Sequence, residues 1–392
     1  MSMNETSSDA IPIHVGTAFG DNESPTRAVL RLTLSRKDNK LSISGPPVVI
    51  REGENPGWLS RYVTDEQGNS QRVYIALEDD PGLLQAYTVE TDGDLTPLGE
   101  AVSSAGRHPC YATLDATSMW LFSSCYTEGS VAVVPVQPDG TLGPPTDSKH
   151  HQGGDLIDDS LHDRQEGPHA HCIVPHPSNE WVVSCDLGLS TVFVYGFDAR
   201  RGSLVGAADD PRHLRLPKDA GPRHCVWDEK GETLFVNNEL TCTVTASAFD
   251  AGSGRLKEIC TVPVLPKGVD PDRNHHRGGS DIAIHPNGKF LYVGCRSSSP
   301  GTIAIICITG SGEGSNLDVI GHESTRGEVP RNFKLIGEKD CDKWWLVVGN
   351  QESKTVVSYV VDSNTGSLKF SGEVSTAPYK PCNIASMSAL YA

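Results

Sequence analysis

The chain has 392 residues, of which 37% are hydrophobic and 21% charged, and it contains 39 glycines and 26 prolines. This composition argues against intrinsic disorder and favours many short strands joined by tight turns. The formal net charge of −17 makes nucleic acids and anionic membranes unfavourable partners, because both would on average be repelled.

The N-terminal segment, MSMNETSSDAIPIHVG, has no basic stretch followed by an apolar one, and no apolar run reaches the length of a membrane span. We therefore expect a soluble, cytoplasmic protein, with a flexible N-terminus over residues 1–10 and a single domain over residues 11–392. The 11 cysteines are odd in number and include no C-x-x-C pair. Reduced thiols that pack as small apolar groups are expected, rather than a disulfide framework.

Three β-rich runs come first along the chain: PIHVGT (12–17), AVLRLTL (28–34) and KLSIS (40–44). A repeat follows, and each unit begins with a short segment marked by Pro or Gly. These segments are NPGW (55), HPCY (108), GPHAHC (167), GPRHC (221), GGSDI (278), VPRNF (329) and KPCNI (380). They lie about 50 to 60 residues apart, and most are followed by several strand-like runs and an acidic-Gly turn, as in TVFVYGFDARRGSL (191–204).

Units of four antiparallel strands at this period are typical of a β-propeller. Seven segments predict an all-β, seven-bladed β-propeller. The seventh segment leaves room for only one strand before the C-terminus, whereas three strands precede the first segment. We therefore predict that the ring is closed by pairing of the N-terminal strands with the C-terminal inner strand, which leaves no exposed sheet edge.

In a propeller the first strand of each blade lines the channel and the second returns antiparallel to it, so two positions per blade share one channel mouth. The start position, where the first strand leaves the mouth, is predicted at Gly57, Cys110, His171, Arg223, Ser280, Arg331 and Cys382. The return position, where the second strand comes back, is predicted at Thr17, Glu78, Tyr126, Asp186, Glu239, Arg296 and Gln351. Both sets vary in residue type and most members are polar, which indicates a binding surface rather than a structural repeat. Cys125, Cys185 and Cys295 fall one residue before the return position and are interpreted as packing residues.

Four stretches resemble the seven-bladed lactonase family, which includes propeller-type 6-phosphogluconolactonases and fungal carboxy-cis,cis-muconate cyclases. They are QEGPHAHC (165–172), GPRHC with NNEL (221–240), HPNGKFLYVGCR (285–296), and VPRNF with VVGNQES (329–353). The resemblance runs from about residue 13 to the end and implies catalytic roles for His171, Arg223, Glu239 and Arg296. The first two blades depart from the family pattern, because the segment 57–79 carries extra residues between its strands.

The four residues suit lactone chemistry. A histidine transfers protons near neutral pH, arginines hold carboxylate, phosphate or oxyanion oxygens, and a glutamate serves as a base or fixes an arginine. Substrate contacts are expected from the other mouth residues, namely His169, Arg331, Gln351, Tyr126, Asp186 and Glu78. The implied activity is hydrolysis of an anionic sugar-acid lactone such as 6-phosphogluconolactone. Muconate-type lactonisation and a non-catalytic binding platform remain as alternatives, because the same residues suit both directions of the reaction and fold alone does not fix function.

The stretch from His150 to His176 is rich in histidine and raises the question of a metal site. It contains an H-x-H pair, but no carboxylate or cysteine partner stands at the spacing of zinc enzymes. No P-loop, dinucleotide-binding fingerprint or nucleophile elbow occurs. We therefore expect neither a metal nor an organic cofactor. The expected partner is a small anionic lactone or carboxylate substrate, and neither nucleic acid nor a membrane, while the sequence leaves the oligomeric state open.

Overall fold

The computed structural model describes residues 10–17, 27–37, 40–64, 71–152, 162–207, 210–271, 278–338 and 342–386. These residues form seven antiparallel sheets. The innermost strand of each sheet contacts the innermost strands of both neighbouring sheets, so the sheets close into a ring. The predicted all-β, seven-bladed β-propeller is confirmed. Residues 1–9, most of the predicted flexible N-terminus, lie outside the described residues.

Blades 1 to 3 follow one another along the chain, and the strands of each blade run in chain order from the channel outward. Blade 1 contains β4 (Pro56–Leu59), β6 (Gln71–Leu77), β7 (Leu83–Val89) and β8 (Leu95–Ser103), with β5 (Val63–Thr64) paired to β6. Blade 2 contains β9 (Pro109–Leu114), β10 (Trp120–Cys125), β11 (Ser130–Pro135) and β12 (Asp147–His150). Blade 3 contains β13 (Ala170–Pro175), β14 (Trp181–Asp186), β15 (Thr191–Asp198) and β16 (Ser203–Val205), with β17 (Leu214–Arg215) paired to β15. A short helix, α1 (His162–Gln165), precedes blade 3.

Blades 4 to 6 repeat this arrangement. Blade 4 contains β18 (Pro222–Trp227), β19 (Thr233–Asn238), β20 (Thr243–Asp250) and β21 (Arg255–Pro263). Blade 5 contains β22 (Gly279–Ile284), β23 (Phe290–Cys295), β24 (Thr302–Thr309) and β25 (Asn316–Ser324), with a 3-10 helix at Gly312–Gly314. Blade 6 contains β26 (Pro330–Glu338), β27 (Lys343–Asn350), β28 (Thr355–Val361) and β29 (Leu368–Ser375).

Blade 7 closes the ring and is built from both ends of the chain. From the channel outward it contains β30 (Pro381–Ser386), β1 (Ala10–Thr17), β2 (Ala28–Lys37) and β3 (Lys40–Glu52). In the antiparallel register of β1 and β30, Val15 lies opposite Ile384. The predicted closure by N-terminal strands and the C-terminal inner strand is confirmed.

Sequence pattern and position in the blade agree. Middle strands are buried on both faces because neighbouring blades pack against them, and they are therefore almost continuously apolar, as in β23 (FLYVGC), where every residue is buried. Outermost strands face solvent on one side and alternate, as in β21 (RLKEICTVP). Clusters of aliphatic and aromatic residues fill the spaces between blades, and one of them joins Val15 and Ile384 of blade 7 to Trp345 of blade 6.

A β-bulge falls at the start position of every blade. In six blades one residue of the inner strand has no partner on the second strand, and these residues are Gly57, Cys110, His171, Arg223, Arg331 and Cys382. In blade 5 the bulge takes in both Ser280 and Asp281. A bulge bends the strand and redirects its side chains, so the repeat presents a varied residue at the same place in each blade.

No helix among the described residues is long and apolar enough to cross a membrane.

Candidate active site

Glu239 lies at the centre of the charged mouth and binds three arginines. Its Oε1 lies 2.5 Å from Arg164 Nη2 and 3.0 Å from Arg296 Nη2, and its Oε2 lies 3.0 Å from Arg223 Nε. All four side chains are almost completely buried, with exposures between 1% and 5%. Three guanidinium groups therefore share one carboxylate in a nearly water-free environment.

This arrangement determines the charge state of Glu239. Burial alone would raise the pKa of its carboxyl group, but the three guanidinium groups together hold that pKa well below its ordinary value. A carboxylate that is already ionised and shared among three cations has little tendency to accept a proton. Of the two roles that the sequence left open for Glu239, the geometry favours fixing the arginines.

Arg164 was not found from the sequence. It lies on α1, in the connection between blades 2 and 3, one residue before the stretch that carries the family resemblance. Gln165 anchors this helix, because its Nε2 donates to the carbonyl oxygen of Leu187 at 3.0 Å and to Ser190 Oγ at 2.9 Å. A residue on a connection lies outside the blade repeat, so the repeat phase gives no signal for it.

Arg296 and Arg223 are also held by the backbone of blade 5. Arg296 donates from Nε to the carbonyl oxygen of Gly278 at 3.1 Å and from Nη2 to that of Gly279 at 2.8 Å. Arg223 donates from Nη1 to the carbonyl oxygen of Ser280. These contacts fix both guanidinium groups before any substrate arrives, which lowers the entropic cost of binding an anion.

His171 shares the mouth with this cluster and is only 5% exposed. Its Nδ1 lies 3.8 Å from Cys110 Sγ, and its ring meets those of Tyr126 and His224 edge-on, at centroid distances of 5.4 and 5.2 Å. Burial, reinforced by the charge of Arg223, lowers the pKa of His171 well below its ordinary value. The imidazole is therefore neutral near pH 7, so one of its ring nitrogens carries no proton, as a general base requires.

An aromatic floor, formed by Trp58, Tyr111 and His224, lies one residue deeper than the start positions. Trp58 and Tyr111 stack at 4.2 Å, and each meets the His224 ring edge-on at 5.2 Å. His224 Nδ1 lies 2.8 Å from Asp281 Oδ1, and Asn332 donates to the other oxygen of Asp281 at 2.6 Å. Each of these three residues follows a start position, whereas the repeat phase predicted only the start and return positions at the mouth.

Tyr126 and His169 line the mouth beside α1. Their rings stack at 4.3 Å with an interplanar angle of 7°. His169 Nδ1 lies 3.1 Å from the carbonyl oxygen of Tyr126, and its Nε2 lies 2.9 Å from Glu166 Oε1. His169 thus ties the connection that carries Arg164 to the return position of blade 2.

Glu78, Arg331 and Gln351 complete the predicted set. The backbone N–H of Glu78 donates to the carbonyl oxygen of Asn55, and that of Gln351 donates to the carbonyl oxygen of Val329. Glu239 makes the equivalent bond to the carbonyl oxygen of Gly221. Arg331 lies at its bulge in blade 6 and acts electrostatically on both Glu78 and His171. All three residues therefore lie at the same mouth as Glu239. Direct contact of these residues with a substrate stays a prediction.

The predicted return position is wrong by one residue in two blades. Ala170 pairs with Asp186, and Leu187 makes the backbone hydrogen bond that Glu239 makes in blade 4, so Leu187 is the true return residue of blade 3. In blade 7 Thr17 pairs with Pro381, as Asn238 pairs with Pro222 in blade 4, so Thr17 precedes the return position. Consequently Cys185 is not equivalent to Cys125 and Cys295, although all three are buried.

Asp186 is fully enclosed and bound to protein groups. Its Oδ1 accepts from the backbone N–H groups of His169 at 2.8 Å and Leu189 at 2.9 Å, and its Oδ2 lies 2.6 Å from His151 Nδ1. These contacts support the loop behind the mouth. Asp186 was selected as a substrate contact because of the incorrect phase, and the structure gives it a supporting position.

The histidines of the stretch 150–176 separate into different environments. His151 binds Asp186, His176 binds Ser178 Oγ and the carbonyl oxygen of Gly231, and His171 shares the mouth with the arginine cluster. Within the described ranges, one group of potential metal ligands converges, namely Cys172, Cys185 and Cys225, whose sulfur atoms lie within 4.8 Å of one another. This group lies between blades 3 and 4 in a hydrophobic cluster and not in the mouth.

Comparison with known proteins agrees with this architecture. The profile of the family described as "Lactonase, 7-bladed beta-propeller" matches residues 13–383. The 6-phosphogluconolactonase of Bacillus subtilis is 30% identical over 345 residues, which cover 88% of this chain and 90% of that protein. The 6-phosphogluconolactonase of Pectobacterium carotovorum is 29% identical over 330 residues, or 84% and 89% of the two chains.

Solved structures share the fold over nearly the whole chain. The periplasmic gluconolactonase PpgL of Pseudomonas aeruginosa superposes with a TM-score of 0.80 at 23% identity, covering 97% of this chain and 100% of that chain. A protein described as a putative 6-phosphogluconolactonase from Bacteroides fragilis gives a TM-score of 0.77 at 23% identity, covering 98% and 100%. Together with a family match that extends over nearly all seven blades, this shows that the chain belongs to the seven-bladed β-propeller lactonase family.

Proposed function

We propose that the protein hydrolyses an anionic sugar-acid lactone of the 6-phosphogluconolactone type at the charged mouth, without a metal. The observation that carries this proposal is the excess of buried positive charge at the mouth. Three arginines face one ionised glutamate, which leaves two positive charges there, in a chain whose overall charge is −17. A buried cationic site on an acidic protein selects a small anion in preference to a large polyanion.

The arginines have hydrogen-bonding capacity to spare. Among the described residues, Nε and Nη1 of Arg164 have no hydrogen-bond partner although both atoms are buried. A buried donor without a partner costs about 1 to 3 kcal/mol, and a phosphate or carboxylate oxygen would remove that cost. Arg223 and Arg296 are the candidates to stabilise the oxyanion of the tetrahedral intermediate, because the backbone and Glu239 hold them in place beforehand.

His171 acts as the general base in this proposal. Its neutral imidazole takes a proton from the attacking water, whose oxygen bonds to the carbonyl carbon of the lactone. Glu239 keeps the arginines in position and transfers no proton. The relatives named 6-phosphogluconolactonase favour hydrolysis over the muconate-type cyclisation and over a non-catalytic platform, and no contact at the mouth favours either alternative. A cytoplasmic location stays a prediction.

The test is a substrate panel in a pH-stat, which records the proton released as each lactone opens. We expect 6-phosphoglucono-1,5-lactone to be hydrolysed with a higher kcat/KM than glucono-1,5-lactone, and the rate to survive dialysis against EDTA. The spontaneous rate without protein is subtracted. Turnover of 3-carboxy-cis,cis-muconate with no lactone hydrolysis would establish the cyclase instead, and loss of activity on chelation would overturn the metal-independent mechanism.

A further inference from the structure

Two glutamates occupy equivalent positions on the same mouth but lie in different environments. Glu78 follows β6 of blade 1 as Glu239 follows β19 of blade 4, and each donates its backbone N–H to the first loop of its own blade at 2.7 Å. Glu239 is ion-paired to three arginines. The Glu78 carboxylate forms no ion pair with any of the described residues, although it is only 8% exposed.

The side chain of Glu78 folds over the start position of its own blade. That position is Gly57, and a Cβ atom there would lie 2.6 Å from Glu78 Oε2 and 2.9 Å from Glu78 Cβ. In blades 3, 4 and 6 the start position carries His171, Arg223 and Arg331. In blade 1 the glycine leaves this space to a carboxyl group that comes from the return position, so blade 1 also presents a functional group to the channel.

Glu78 and His171 share neighbours. Cys110 lies 3.8 Å from the His171 ring and interacts electrostatically with Glu78. The charged and titratable groups that face Glu78 from the surrounding elements are Arg331, Arg223, Cys110, Asp79 and Arg27. Arg223 and Arg331 act electrostatically on His171 as well, so Glu78 and His171 share these two arginine neighbours.

Burial affects these two groups in opposite and complementary ways. Burial raises the pKa of Glu78 to about 7, even though Arg331 and Arg223 oppose the shift. Burial also lowers the pKa of His171, as described above. At neutral pH the mouth therefore holds a neutral imidazole and a carboxyl group whose pKa lies close to the pH. Two titratable groups whose pKa values are shifted in opposite directions by their environments can act as a general base and a general acid at the same pH.

We infer that Glu78 is the general acid of the lactonase reaction, an inference that rests on the proposed function. His171 removes a proton from water as the water oxygen bonds to the lactone carbonyl carbon. When the tetrahedral intermediate collapses, the bond between that carbon and the ring oxygen breaks. The electron pair goes to the ring oxygen, and the carboxyl group of Glu78 supplies the proton. The proton on His171 then returns Glu78 to its acid form through solvent, so that one water is consumed and one hydroxy acid is formed.

The test compares kcat and KM of the wild type and E78Q for 6-phosphoglucono-1,5-lactone between pH 5.5 and 9. In the wild type we expect kcat to fall as the pH rises through about 7, because the acid form of Glu78 is lost. In E78Q we expect kcat to be lower on the order of 10²- to 10⁴-fold, the usual contribution of general acid-base catalysis, with KM nearly unchanged. The falling limb near pH 7 should disappear.

A matched control is E128Q. Glu128 lies two residues beyond the return position of blade 2, and its partner is the exposed Arg107 at 2.6 Å. The same change of chemistry there should leave both kcat and the pH profile as in the wild type. Thermal unfolding of E78Q confirms that the ring is intact, since glutamine conserves the volume of the buried side chain.

The outcomes separate this inference from the proposed function. A wild type that hydrolyses the lactone, together with an E78Q that keeps the falling limb or retains kcat within about twofold, would overturn the role of Glu78 alone. A wild-type kcat that rises with pH through 7 would also overturn it, because that limb belongs to a base. A wild type without lactonase activity would overturn the proposed function, and the role of Glu78 as general acid would fall with it.

Discussion

Replacement of Glu239 by glutamine tests whether this residue holds the arginines. The change conserves shape and removes one negative charge from among three buried guanidinium groups, two of which lie 3.0 Å from its oxygens. Breaking a buried ion pair by removing one partner costs about 3 to 5 kcal/mol, because the remaining charges are left uncompensated. For a chain of 392 residues this corresponds to a decrease in Tm of roughly 4 to 6 °C.

Differential scanning fluorimetry measures this decrease, and inorganic phosphate adds a second readout. Phosphate stabilises any folded state that binds it, and E239Q offers one more uncompensated positive charge than the wild type. We therefore expect phosphate to raise the Tm of E239Q more than that of the wild type. E128Q, whose exposed ion pair contributes under about 1 kcal/mol, is the control. An E239Q protein that has the same Tm as the wild type, and whose Tm does not increase with phosphate, would refute the conclusion that Glu239 holds the arginines.

Further predictions concern the base, the acid, the ring closure and the cysteines. His171→Ala should lower kcat on the order of 10²- to 10⁴-fold, and a variant that hydrolyses its lactone normally would exclude His171 as the base. The pKa of Glu78 is raised from 4.5 to about 7 on folding, so its contribution to the free energy of unfolding is complete below pH 4.5 and is lost as the pH rises through 7. Chemical denaturation should therefore show that the free energy of unfolding of E78Q, relative to that of the wild type, increases by about 3 kcal/mol between pH 4.5 and 7. A difference between the two proteins that does not change with pH would contradict the pKa shift. Truncation from Tyr379 onward removes β30, including the buried Ile384, and should destabilise the whole ring, whereas an unchanged Tm would contradict the closure. A reducing agent should leave the Tm unchanged, because the described cysteines are free thiols, and a decrease would reveal a disulfide.

The fold could be predicted from the sequence because each blade of a propeller corresponds to one unit of a sequence repeat. The period gave the number of blades, and the surplus of strands before the first repeat gave the closure, which the pairing of Val15 with Ile384 confirms. The start positions were predicted correctly in every blade. Six of them directly follow a Pro or Gly at the beginning of the inner strand, His171 follows Ala170 with Pro168 nearby, and all seven coincide with a bulge.

The return positions were harder to predict, because the second strand ends without such a marker. In blade 3 the strand runs one residue further, and Asp186 was taken for the return residue in place of Leu187. The error has a physical origin. Asp186 is a buried carboxylate near the mouth, and sequence alone does not reveal whether its oxygens meet substrate or the backbone of His169 and Leu189.

Charge states could not be predicted because they depend on neighbours that are remote in sequence. Glu78 and Glu239 are the same residue type at the same repeat position. The family resemblance distinguishes Glu239 from Glu78, but it does not indicate which of them is ionised. Arg164, on a connection outside the repeat, and Arg296, from the next blade, make the difference, because they bind Glu239. Repeat position therefore determines where a side chain points, and the neighbouring blades and connections determine whether it holds a proton. In a propeller enzyme, similar blades can in this way supply a fixed anion at one point of the mouth and a proton donor at another.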